Sequence, residues 1–161
     1  MIGVQITGAA QVIERLGALP EKVRLAAKSS LDLWALELAS YIKADKLSGQ
    51  VLNRRSGNLS SSVFPSKSET STSVSGGARA GLDVPYAKIH EYGGLIPAHQ
   101  VVAINAKALA FTVGGVMRFA KSVQIPDVQM PERSYMRSSL REKAPDGIAE
   151  LRAAVKESIA A

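Results

Sequence analysis

The chain of 161 residues is long enough to bury a core as one domain, and 46% apolar with 21% charged residues is the balance of a globular protein. It has no cysteine, which excludes disulfides, thiolate metal sites and cysteine nucleophiles. The net charge of +6 comes from 20 basic and 14 acidic residues with no polybasic block, so it describes a solvated mixed-charge surface with at most a mild preference for DNA or an acidic protein.

In chain order, Val4-Gln5-Ile6 alternates like a short strand that Gly8 ends, and Gln11 to Leu16 reads as a short helix. Pro20 suits a first helical position, with Glu21 complementing the helix dipole. Val23, Ala27, Leu31, Trp34, Leu38 and Ile42 then recur at three- and four-residue steps, which predicts a helix of about 25 residues ending near Leu47-Ser48-Gly49. Ser and Thr crowd Ser56 to Ser75, with strand candidates at Ser62-Val63-Phe64 and Ser71 to Ser75. We expect residues 54–77 to form a flexible loop or hairpin that orders against a partner. Residues 80–125 read mostly as strand, and Gly114-Gly115 between Ala108–Val113 and Val116–Phe119 predicts a tight hairpin. Beyond Pro126 and Pro131, a short helix from Ser134 to Lys143 is expected to break at Ala144-Pro145-Asp146-Gly147. A last helix over 144–161 then carries Ile148, Leu151, Val155 and Ile159 on one face. The whole reads as a single α+β domain, 1–161, with a long N-terminal helix and C-terminal helices on a mostly antiparallel sheet with extended hairpins. Met1–Thr7 lacks the basic start and apolar run of a signal peptide. The apolar stretch Val101 to Met117 is interrupted by Asn105 and Lys107 and falls short of the roughly 20 residues of a membrane span, so a soluble protein is expected.

No recognisable catalytic constellation stands in the sequence, and no enzyme activity, cofactor or metal is expected. His90 and Glu91 are adjacent, so on a strand or a helix they point apart and serve each other poorly as acid and base. Ser40-x-x-Lys43 falls in mid-helix without the Lys-Thr-Gly element that would accompany a nucleophile. Gly114-Gly115 with Lys121-Ser122 has the wrong spacing for a phosphate loop. Arg133, Arg137 and Arg141 fall on one face if that segment is helical. That face is either solvated and paired to Glu132 and Glu142, or turned to an acidic neighbour or to DNA phosphates. Arg54 and Arg55 open the Ser-rich segment and are loop solvation or partner contacts.

Three landmarks in fixed order carry the most information. They are Arg55-Ser56-Gly57-Asn58-Leu59 after the long helix, Tyr86-Ala87-Lys88-Ile89-His90-Glu91-Tyr92-Gly93, and Pro131-Glu132-Arg133-Ser134-Tyr135-Met136-Arg137-Ser138-Ser139-Leu140. With the Val4-x-Ile6-x-Gly8 opening, this order resembles the tail-completion family of tailed double-stranded DNA phages, the neck or head–tail joining proteins often labelled minor tail or virion morphogenesis proteins. Two departures stand out. The family commonly has proline and phenylalanine where this chain has Ser134 and Tyr135, and threonine where it has Gly94.

The resemblance implies a structural virion protein at the head–tail junction, assembled in the bacterial host cytoplasm. Copies would form a ring, six-fold by expectation, between the capsid connector and neck proteins and the tail tube or its terminator. Phage DNA would pass through the lumen without sequence recognition, and no membrane is involved. In that setting Arg54, Arg55, Ser56, Gly57, Asn58, Gly114, Gly115, Arg133, Arg137 and Arg141 are interface candidates. Trp34, Tyr86, Glu91, Tyr92, Tyr135, Met136 and Leu140 are candidates for the core or a subunit seam, with core packing preferred for Tyr86, Tyr92, Met136 and Leu140. The alternatives are a tail-tube terminator ring and a nonspecific DNA-binding protein, the latter marked by salt-sensitive affinity.

Overall fold

A computed structural model describes residues 2–3, for which only the backbone path is given, and 21–53, 55–70, 73–81 and 83–160. The expected strand at Val4-Gln5-Ile6, the helix at Gln11 to Leu16, the junction at Pro20 and the side chain of Arg54 lie outside the described residues. The chain is α+β and divides into two compact units, one of Met1–Tyr92 with Glu132–Ala161 and one of Gly93–Pro131.

The first unit is built around α1, Glu21–Tyr41, which continues through a segment of wider turns, Ile42–Gln50, and ends where Gly49 takes φ 133°. Every residue of the predicted stripe is buried: Val23, Ala27, Leu31, Trp34, Leu38 and Ile42. Each large side chain so buried contributes about 1.5–3 kcal/mol. After a single turn, α2 (Asn58–Ser61), the strands β2 (Phe64–Glu69) and β3 (Val74–Ala80) pair antiparallel, Phe64 opposite Arg79, and β1 (Ile2–Gly3) adds to the far edge of β3. The Ser/Thr-rich segment is therefore a hairpin, the second of the two expected alternatives. Its strands run longer and begin later than the candidates at 62–64 and 71–75.

Physically, Val74, Ala78 and Ala80 bury against α1, and Gly76 passes so close that a Cβ there would lie 2.8 Å from the Leu31 carbonyl oxygen. Arg24 and Lys28 bridge to Glu69 at 2.9 and 2.6 Å, and Lys67 to Asp32 at 3.2 Å; such surface pairs are worth little individually.

On its other side α1 meets one C-terminal helix, not two, and this corrects the expected break at residues 144–147. That helix, Met136–Ala160, runs straight through Pro145. An interior proline costs about 3 kcal/mol, because the ring crowds the preceding turn and the N–H is lost. Here packing outweighs it. The Trp34 indole N–H donates to the Lys143 carbonyl at 3.1 Å, and buried Gly147 leaves room for the indole. Of the predicted apolar face only Leu151 and Val155 pack against α1 and β3, while Ile148 and Ile159 are exposed. Buried Lys46, beyond α1, pairs with Glu142 at 2.8 Å, and the Tyr41 hydroxyl donates to the same carboxylate at 2.5 Å. We label the helices in chain order α1, α2, α3 (Ala87–Tyr92) and α4 (Met136–Ala160). The helix at 87–92 interrupts the stretch 80–125 that reads mostly as strand. None of the described helices is long and apolar enough to cross a membrane.

The second unit is a nested antiparallel ladder. Strand β4 (Gly94–Ile96) pairs with β9 (Val128–Met130), β5 (His99–Val102) with β8 (Ser122–Ile125), and β6 (Leu109–Val113) with β7 (Val116–Ala120). Bonds from the Ala98 N–H to Asp127 Oδ1 at 2.5 Å and from the Ala103 N–H to the Lys121 carbonyl at 3.0 Å bridge the gaps, so the three pairs form one long hairpin arm. At its tip Gly114 and Gly115 have φ 59° and 81°, the two positive values that the glycine pair predicted.

Candidate functional site

The second and third landmarks meet at one buried carboxylate. Glu91, on α3, is wholly inaccessible to solvent and lies against the first turn of α4. Its oxygens accept from the backbone N–H groups of Tyr135, Met136 and Arg137 at 2.8–2.9 Å, from the Ser134 hydroxyl at 2.8 Å and from Arg137 Nε at 3.1 Å. These N–H groups are the ones a helix leaves without intrahelical partners, and a negative charge there also meets the positive end of the helix dipole. The Arg137 guanidinium closes the cluster by donating to the Glu91 carbonyl at 2.9 Å and to Glu132 at 2.7 Å, while lying 4.6 Å from the centre of the Tyr92 ring.

Four residues of the second landmark, Ala87, Glu91, Tyr92 and Gly93, now have a physical reason. Ala87 is buried where Gly81 passes so close that a Cβ on the glycine would lie 2.5 Å from the alanine's. Glu91 caps α4, Tyr92 supports Arg137, and Gly93 takes φ 67° where the helix ends. Ser134, where the resembled family commonly has proline, contributes a donor to Glu91.

The first landmark turns on Gly57, whose φ of 84° swings the chain into α2. Gly57 is buried and Asn58 exposed, and Leu59 packs on the core. Arg55 and Ser56 turn instead toward a cavity of about 530 Å³ that they share with Tyr86, His90 and Arg133 over Leu47, Leu52 and Leu59. All three landmarks thus converge on one cavity, and the Arg133 N–H donates to the His90 carbonyl at 2.8 Å to fasten the third to the second. Among the described residues no carboxylate lines the cavity.

Several site expectations change. The arginines do not form one stripe: Arg133 precedes α4 and faces the cavity, Arg137 is committed to Glu91 and Glu132, and Arg141 is exposed. Glu142, an expected partner of the stripe, is held by Lys46 and Tyr41. Trp34, Tyr135 and Met136 are core, and Leu140 packs partly buried on it. Tyr86 and Tyr92 are 39% and 47% exposed, so core packing does not describe them. Gly114 and Gly115 are exposed at the tip of the arm. The Tyr135 hydroxyl is buried without a hydrogen-bond partner among the described residues, and burial pushes its pKa well above the ordinary value. Sequence reasoning gave Ser134 and Leu52 no site role, and it used Leu47 only as a helix end and Leu59 only as the last letter of the first landmark; as a cavity floor the leucines carry no signal beyond being apolar.

His90 stands edge-on to Tyr86, ring centres 5.9 Å apart, with its Nδ1 buried and without a hydrogen-bond partner among the described residues. Burial, and then the charge of Arg133, lower its pKa below the usual 6.5. A base with a depressed folded pKa favours folding above its unfolded pKa and loses that contribution as pH falls through the window below 6.5. We expect an NMR titration to place His90 below 6.5 and Arg133→Ala to raise that value part of the way, because burial is the larger cause. An unmoved titration in Arg133→Ala would show that the two groups do not interact.

No family model, curated protein or solved structure matches the chain.

Proposed function

We propose that the chain is a structural subunit of a phage neck, forming a ring between the capsid connector and the tail tube through which DNA passes. The order of the three landmarks suggests the family, and the observation that carries the assembly role is the arm. No residue from 93 to 131 is buried. Val102, Ile104, Val113, Val116, Met117 and Phe119 are each at least half exposed. A two-stranded hairpin is marginal in water on its own, and an apolar one invites association. The helical unit offers a matching surface: a groove of about 640 Å³ between α1 and α4, floored by Ala26, Leu33 and Ala154 and edged by Glu37, Glu150 and Glu157. Arg118 and Lys121 on the arm are complementary to that acidic edge. An arm from one copy seated in the groove of the next is a head-to-tail contact between two different faces, which closes into a ring when the rotation allows.

The test is mass by light scattering, with the protein alone and then mixed with tail tubes and DNA-filled capsids. Wild type should form a ring-sized species or join the particles. Met117→Asp with Phe119→Asp should abolish both while leaving the melting of the helical unit unchanged. Arg118→Glu should weaken assembly and Glu150→Arg restore it. A wild type that stays monomeric and ignores both particles would overturn the reading, and salt-sensitive DNA binding by that monomer would favour a DNA-binding protein.

A further inference from the structure

The cavity at the meeting of the landmarks brings two arginines to one space. Arg24 and Arg137 are ion-paired, but Arg55 and Arg133, which face the cavity, have no ion pair among the described residues. Two arginines thus line one space together with His90, with no carboxylate beside them among the described residues. Leu47, Leu52 and Leu59 make the floor apolar.

We propose that this cavity is a binding site for an acidic peptide segment of a partner protein, a carboxylate flanked by aliphatic side chains. The guanidinium fork is suited to a carboxylate, with Ser56 and His90 for the polar atoms beside it. The leucine floor selects against a bare phosphate backbone, which has no apolar part to bury there. The space of about 530 Å³ is within the range of sites that enclose small ligands or a few side chains. Its lining residues belong neither to the arm nor to the groove, so the proposal stands whether or not the chain forms rings.

The experiment is a titration of isotope-labelled full-length protein, reading the Arg Nε and His90 ring resonances. The probes are a capped hexapeptide of alternating leucine and aspartate, the same peptide with asparagine, inorganic phosphate, and a short DNA duplex. The aspartate peptide should give saturable shifts at Arg55, Arg133 and His90, with the asparagine peptide weaker by about tenfold or more. Arg55→Ala and Arg133→Ala, both at exposed positions, should each reduce affinity by a similar factor without changing the melting temperature. Absent shifts, equal binding of the two peptides, or tighter binding of phosphate or DNA would each overturn the proposal. Binding that survives both arginine substitutions would place the peptide elsewhere and overturn it as well.

Discussion

Replacing Glu91 by alanine is expected to destabilise the protein by about 3–5 kcal/mol, a large fraction of what a domain of this size possesses. The loss has two parts. Three backbone N–H groups at the start of α4 and the Ser134 hydroxyl lose their acceptor, and Arg137 loses the charge that orders it. Glu91→Gln keeps the shape but removes the charge and turns an amide donor toward donors, so about 2 kcal/mol is expected. Glu132→Gln is the control. Its carboxylate also binds Arg137 but is 54% exposed, and the change should stay within about 0.5 kcal/mol. Urea unfolding at constant m value reads all three. A Glu91→Ala midpoint equal to that of wild type would show that the carboxylate does not hold the two landmarks together.

The second large effect is expected at Gly147, where intuition from helix propensity points the wrong way. In a mid-helix position Gly→Ala ordinarily gains about 0.5–1 kcal/mol. Here the new Cβ would lie 2.3 Å from Trp34 Nε1 and 2.5 Å from its Cδ1. The indole is 2% exposed and hydrogen-bonded through that nitrogen to the Lys143 carbonyl, so it has nowhere to go. A net loss of about 2–3 kcal/mol is expected for Gly147→Ala. In a double-mutant cycle Trp34→Phe should be less costly in the Gly147→Ala background than in wild type, because the smaller ring relieves the overlap. Thermal melts test this directly. A higher melting temperature for Gly147→Ala would mean that the indole does not lie on α4.

Both predictions rest on contacts between segments far apart in the chain, and they mark where the sequence was legible and where it was not. The stripe from Val23 to Ile42 was legible because a helix repeats its environment every three to four residues, and one buried face leaves a periodic trace. The Gly114-Gly115 turn was legible because both positions need positive φ, which few residues other than glycine accept. The Ser/Thr-rich segment was read less well. Its burial falls on Val74, Ala78 and Ala80 and on a glycine, small residues whose fit against α1 has no local signature. The break expected at Pro145 fails for the same reason. Proline disfavours a helix interior locally, and tertiary packing of the helix, the Trp34 indole on Gly147 included, outweighs that preference.

The landmarks divide in the same way. Their order along the chain, the α+β class, the long helix and the glycine turn were all determined by local rules of periodicity and backbone freedom. That Glu91 caps a helix 45 residues further on, that Tyr86 and Tyr92 stand at the surface, and that Arg55, His90 and Arg133 share one cavity was decided by the tertiary structure alone. The physical reason is that hydrogen bonds and charges act over a few ångströms of space. Sequence spacing carries that information within a helix or a hairpin, and loses it once the chain turns back on itself.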